Sequence, residues 1–405
     1  MRSWILIAVV PLAAVAQQTL TVKDAVARAL ASHPALRESA ERVSASQGLL
    51  KQAGLRPNPH FTFQAENLGA NGAPGFAYGR DADTFAYLTQ PIETGGKRTR
   101  RVDAATAATK RAGLERELLA RQIAARVKLA YWGAEGAERA RSVLDETLRT
   151  FAQIVAYHEA RVREGAMAEA DLLRVRLESE RIALAANTAQ LEAERARIQL
   201  FREMGATSFP AVKFEEGSDE LEVALPEVDV SKALEARIEM QLAHQAIEQA
   251  RTRLDLERAI AKPDVDAVVG YKRTAGFNTM IGGVQVNLPF ANRNQGNIAA
   301  GLSEVRAAEA AEAATAALVQ AEIRAAKSEY DLRSRQVRTS LSPLMEHAVE
   351  AARIAQAAYR EGGLDLLRLL DAERARLDAQ LLYCRSLAEY RQSIVNLETA
   401  LGVTP

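Results

Sequence analysis

The sequence predicts a mainly α-helical exported protein whose few strands form part of a membrane β-barrel. Three observations predict this fold class. The chain opens on an apolar leader with a small-residue cleavage site, and no later stretch is apolar enough to cross a bilayer as a helix. One order of parts is also written twice: strand pair, very long helix, glycine turn, returning helix.

The leader reads MRSWILIAVVPLAAVAQQ. Arg2 supplies a positive start, Trp4 to Ala16 an apolar run of about 13 residues, and Ala14-Val15-Ala16 an A-x-A cleavage site. A bilayer-crossing helix needs about 20 apolar residues, so this run is expected to direct export and be removed, and residues 1–16 stand outside the fold. No cysteine stands directly after the apolar run, so no lipid anchor is expected at the mature N-terminus. The single cysteine, Cys384, lies in a helical pattern and reads as a core thiol, with no disulfide framework to join.

Fifty-two basic residues balance 52 acidic ones, and aromatics make up only 5%. Long tracts of Ala, Leu, Glu and Arg are the composition of long, closely packed helices. Balanced charge gives no case for a nucleic-acid partner.

The duplication divides the chain into a first copy at 17–206, a polar linker at 207–228 with one possible short strand, and a second copy at 229–405. Each copy opens with period-3.6 patterning, reaches a proline (Pro57 or Pro263), and changes to period 2. HFTFQAE places Phe61, Phe63 and Ala65 on one face and Thr62, Gln64 and Glu66 on the other; DTFAYLTQP is its return strand. DVDAVVGYK and MIGGVQVNLP form the second pair, and Pro91 and Pro289 close the second strand of each pair. A helix of nearly seventy residues follows the first pair, on the order of 100 Å at 1.5 Å per residue. Its counterpart runs from about Gly296 to Arg360, with a kink expected at Pro343. Glycine turns in VREGAMAEADLLR and YREGGLDLLRLLD lead to the returning helices. Ala-rich seams let such helices pack closely over many turns.

Four strands with one apolar and one polar face match barrel wall, yet four strands cannot close a barrel. Open edges in lipid leave backbone groups unpaired at several kcal/mol each. Either these strands pack on a soluble core or several chains pool them, and the export leader, the missing core and the duplicated pairs favour pooling. Two chains would give eight strands and three would give twelve, and periodicity does not choose. Nothing points to catalysis, a cofactor or a resident metal. The five histidines, His33, His60, His158, His244 and His347, are scattered without metal-ligand spacing. Acidic residues on long helical faces are ordinary solvated charges.

Taken together, these parts resemble the outer-membrane factors of tripartite efflux systems, the TolC-like proteins, over essentially the whole mature chain. NPHFTFQAENLG and LTQPIETGGKR are similar to motifs of the cation-efflux, CzcC-like branch. The resemblance implies a homotrimer whose twelve-stranded barrel sits in outer-membrane lipid and continues as a helical tunnel across the periplasm. It implies a passive exit duct, for heavy-metal cations in that branch, that meets a periplasmic adaptor and, through it, an inner-membrane pump. Pro91, Gly95, Gly96, Lys97 and Arg98 become the barrel-to-tunnel joint. Its basic residues would lie near headgroups or cap the first turns of the tunnel helix. The adaptor-contact tips become Arg163, Glu164, Gly165 and Ala166 in the first copy, and Glu361, Gly362, Gly363 and Leu364 in the second.

The family's closed gate links an acid six residues after the first tip glycine to a tyrosine three before the second. Here those residues are Asp171 and Tyr359, with Asp371 in the acidic ring. Two positions depart from the pattern: Arg368 stands at the first site of that ring, with Asp365 nearby as a substitute charge, and Leu364 replaces a basic partner. A reading of another class is a periplasmic adaptor or coiled-coil scaffold that never enters the outer membrane. Its strands would form compact domains flanking one hairpin, rather than repeating inside two.

Overall fold

The computed structural model describes residues 19–69, 75–214 and 229–403. The export leader expected at residues 1–16 lies outside the described residues, as do residues 215–228 of the linker. The chain forms two compact units, and each draws on both copies. One comprises the described residues within Met1–Leu36, Leu119–Ala236 and Gln320–Pro405; the other comprises those within Arg37–Leu118 and Arg237–Val319.

In chain order the elements are β1 (Thr19–Leu20), α1 (Val22–Ser32), α2 (Pro34–Ala53), β2 (His60–Glu66), the short α3 (Tyr78–Asp81) and β3 (Asp83–Ile92). The long α4 (Lys97–Arg163) and returning α5 (Glu169–Glu203) complete the first copy. After β4 (Lys213–Phe214), the second copy gives α6 (Val230–Ala236), α7 (Ile238–Ile260), β5 (Val265–Thr274), β6 (Phe277–Val286), α8 (Gln295–Arg335), α9 (Ser342–Arg360) and α10 (Leu366–Ala400). No helix among the described residues is long and apolar enough to cross a membrane.

Each opening helical pattern is split in two. In the first copy Pro34 follows His33, which takes an extended ψ of 126°, as residues before proline do. In the second copy Arg237 is extended at ψ 127° and its guanidinium pairs with Glu239 at 2.8 Å. The interruption expected at Pro343 is a π turn, Gln336–Leu341, just upstream of the proline. Proline cannot donate and crowds the carbonyl four residues back. One extra residue in the turn relieves this, so the Ser342 N–H bonds the Val337 carbonyl. Val337 and Leu341 pack into a buried cluster with Leu387, Tyr390 and Ile394.

The unit containing the sheet has strand order β2-β3-β5-β6, all antiparallel, so β2 and β6 are its edges. Phe61 lies opposite Leu88, Leu88 opposite Val269, and Val269 opposite Gly282. Directly opposed residues share a face, which gathers Phe61, Phe63, Leu88, Tyr271, Met280 and Val284 on one side. That apolar side is open: Phe61 is 68% exposed, Met280 77% and Val284 71%. Thr62, Gln64, Asp266, Lys272 and Gln285 share the opposite face. Ala275 and Gly276 close the β5–β6 hairpin with φ of 49° and 84°. The Ala275 N–H is held by the Asp83 carboxylate at 3.0 Å, which offsets the strain of a left-handed alanine.

In the other unit, β1 and β4 pair in parallel, and the linker strand thus finds a partner that periodicity did not reveal. Tyr131 donates its hydroxyl to the Leu20 carbonyl at 2.8 Å over a core of Ala25, Ile123, Val127 and Leu200. A second core joins α4, α5, α9 and α10 through Leu144, Phe151, Val175, Ile182, Ala355 and Leu369.

Candidate functional site

Near the ends of α4 and α9 the second core narrows onto two rings. His158 is fully buried. Its Nδ1 lies 2.7 Å from the Ile154 carbonyl and its Nε2 lies 2.7 Å from the Tyr359 hydroxyl. A carbonyl can only accept, so Nδ1 carries the hydrogen; in the neutral ring Nε2 then accepts from Tyr359. The rings stack with centroids 5.8 Å apart. Burial, with Tyr157 nearby, pushes the Tyr359 hydroxyl above its ordinary pKa, so it stays a donor across the physiological range. A cavity of about 440 Å³ opens beside the pair, lined by Thr150, Gln153, Tyr157, Gln356 and Arg360.

Tyr359 is thus held within its own chain by a residue that sequence reasoning set aside. Its only sequence signal was the helical spacing that puts His158 one turn after Ile154. Asp171 and Tyr359 share no hydrogen bond within the chain. Asp171 sits in the first turn of α5, where a carboxylate suits the helix dipole, and lies 3.8 Å from Arg174. Asp371 is exposed on α10 and lies 3.9 Å from Arg374. Arg374 also binds Glu178 of α5, a carboxylate 4% exposed. Glu373, 1% exposed, accepts from Gln356 of α9 and from Arg376. These two buried acids tie α5 and α9 to α10, and periodicity marked neither. Asp365, considered as a substitute gate charge, is the N-cap of α10: its carboxylate accepts the Arg368 N–H at 2.9 Å.

Both tip turns close in one way. The Ala166 N–H bonds the Arg161 carbonyl and the Gly165 N–H that of Val162; Gly363 and Gly362 repeat this with Ala358 and Tyr359. This is the Schellman closure, which needs the left-handed φ of 71° at Gly165 and 78° at Gly362. Arg163, Glu164, Ala166 and Glu361 are exposed, while Leu364 is half-buried against the helical core.

At the base of the sheet, Pro91 pairs with Asp266 and β3 continues to Ile92. Gly95 and Gly96 follow with φ of 65° and 75°. Basic residues in the first turn of α4 oppose that helix's own dipole. They serve the end of α2 instead. Arg98 Nε donates to the Gly54 carbonyl at 2.6 Å, and Arg101 to those of Ala53 at 3.0 Å and Leu55 at 3.1 Å. Arg101 also grips Glu93 with both ends of its guanidinium. Lys97, 9% exposed, reaches Asp264 at 2.7 Å, and the same carboxylate accepts the Thr94 N–H at 2.9 Å. The joint is a network of ion pairs and capped carbonyls. Within the chain, Arg98 and Arg101 are thus held by carbonyls at the end of α2 rather than by the first turn of α4.

The model of the family described as outer membrane efflux protein matches residues 25–206 and 230–403, which span both copies. The chain belongs to the outer membrane efflux protein family. It is 24% identical to the cobalt-zinc-cadmium resistance protein CzcC of Cupriavidus metallidurans over 95% of this chain and 90% of that protein. Its fold is similar to that of CusC, with a TM-score of 0.79 at 18% identity, covering 94% of this chain and 92% of the other. It is also similar to the outer-membrane channel OprN, with a TM-score of 0.78 at 21% identity, covering 94% and 89%. This efflux protein is the outer-membrane exit duct of a pump and extends into the periplasm. Family membership sets aside the reading as an adaptor or scaffold. The matched relatives are efflux channels rather than enzymes.

Proposed function

We propose that three copies of this chain form a passive duct for divalent metal cations, each copy giving four strands to a twelve-stranded barrel. One observation carries the assembly: a four-stranded sheet with two edge strands and an exposed apolar face. In lipid, every edge group must find a partner, and only closure removes the edges. Membership of the family supports three as the number of copies. The name of the CzcC relative supports cobalt, zinc or cadmium as cargo class. Cargo moves without bond making or breaking, driven by an inner-membrane pump through a periplasmic adaptor that docks on the two tip turns.

Asp171, Tyr359 and Asp371 gate the periplasmic end. The position of Asp171 at the start of α5 and of Tyr359 three residues before Gly362 supports this role. Arg368, paired with Asp365 at 3.9 Å, stands in the ring as the counter-charge to its acids.

Extraction of the mature protein in mild detergent tests the assembly. A trimer from the outer membrane is expected, and a soluble monomer or dimer would overturn the shared barrel. In planar bilayers, Asp171→Ala with Tyr359→Phe should raise single-channel conductance. Unchanged conductance would remove both residues from the gate.

A further inference from the structure

Four strand–helix junctions lie at one end of the sheet: the start of β2, the end of β3, the start of β5 and the end of β6. Each has a basic residue within seven positions along the chain. At the β3 end these cations are engaged internally, Lys97 by Asp264, Arg98 by Gly54, Arg100 by Asp103 and Asp255, and Arg101 by Glu93. Arg56, Lys262 and Arg293 at the other three ends are exposed, and their side chains make no hydrogen bond or ion pair among the described residues.

A polar hollow of about 360 Å³ opens at this end, lined by Lys262, Asn287, Asn292 and Asn294 together with Leu288. Asp264 also lines it, neutralised by Lys97. Glu257 stands close by and accepts from Asn294 at 2.6 Å. Lys262 is placed by the joint itself. Its aliphatic stem lies over Gly95, where an added Cβ would fall 2.5 Å from the Lys262 Cδ. Arg293 sits between two lining asparagines. Leu288 and Phe290, 65% and 79% exposed, follow the end of β6 at the same place.

Uncommitted cations, the free amide donors of Asn287 and Asn292 and open apolar side chains at the end of a lipid-facing sheet suit an amphiphile with an anionic head. We propose that this hollow binds the phosphate headgroup of an anionic glycerophospholipid in the leaflet facing the periplasm. Phosphate oxygens take the Lys262 ammonium and the Asn287 and Asn292 amides, and the acyl chains run along Leu288 and Phe290. The site goes beyond the duct function and rests only on the apolar sheet face meeting lipid.

The full chain, purified in mild detergent, is reconstituted into nanodiscs of phosphatidylglycerol or phosphatidylcholine with matched acyl chains, and retained lipid is counted by native mass spectrometry. Preferential retention of phosphatidylglycerol is expected. Lys262→Gln and Arg293→Gln should each weaken that preference roughly fivefold, while Lys262→Arg should keep it. Equal retention of both lipids, or an unchanged preference in the glutamine variants, would overturn the site. Glycerol phosphate binding as tightly as the lipid would make it a site for free phosphate and overturn the lipid assignment. Insertion without lipid preference defeats this inference alone, whereas failure to insert into either bilayer defeats the barrel as well.

Discussion

Tyr359 on α9 donates its hydroxyl to Nε2 of His158 on α4 at 2.7 Å, across 201 residues of sequence. The bond pins the helix before one tip turn to the helix before the other. Tyr359→Phe leaves a buried ring nitrogen without a donor and should cost about 1–3 kcal/mol. His158→Ala leaves a cavity as well, and should cost about 2–5 kcal/mol. In thermal or urea unfolding of the detergent-solubilised protein, the double variant should lose less than the sum of the two. Strict additivity would show that the pair carries no coupling.

Glu93 gives the joint a pH dependence. The hydrogen bond from Arg101, with its charge, holds the Glu93 carboxyl below the ordinary value of 4.5. A carboxylate with a depressed folded-state pKa contributes stability that is complete above its unfolded value and fades as pH falls through the folded one. The melting temperature of the native protein should therefore drop on acidification below about pH 4.5 more steeply than that of Glu93→Gln. Parallel acid profiles would remove this ion pair as a source of stability.

Gly95 and Gly96 separate two requirements. Both have left-handed φ, so alanine at either should cost about 1–2 kcal/mol. Only Gly95 also lies against the Lys262 stem, with nothing within 4 Å of a Cβ at Gly96. Gly95→Ala should lower the melting temperature further than Gly96→Ala, and the reverse order would contradict the close approach.

Adjacent residues of β6 should respond oppositely to charge. Val284 lies on the open apolar face and Gln285 on the other. Val284→Lys should cost up to about 2–4 kcal/mol of insertion free energy, depending on its depth. Gln285→Lys should leave the yield of membrane-inserted protein near that of the native chain. Equal losses would mean that the apolar face does not meet lipid.

Strands were the most legible part of the sequence, because period-2 alternation and pairing share one cause. HFTFQAE coincides with β2 residue for residue, and the predicted long helices end where glycine takes a left-handed φ. The π turn was not legible, since Pro343 announces an interruption but not the extra residue that absorbs it. Nor was the partner of Tyr359, since contacts over two hundred residues leave no local pattern. The basic run at 97–101 showed its charge but not its acceptors, which are carbonyls at the end of another helix.

Interleaving of the two copies also sets the order in which this protein can reach its native state. The first copy alone holds β2 and β3, whose inner edge is completed by β5 from the second. Each compact unit likewise needs segments from both copies. A chain emerging from its N-terminus must keep its first half open until the second half has crossed into the same compartment. Neither copy is a folding unit, so a fragment carrying one alone should stay unfolded until the other is supplied.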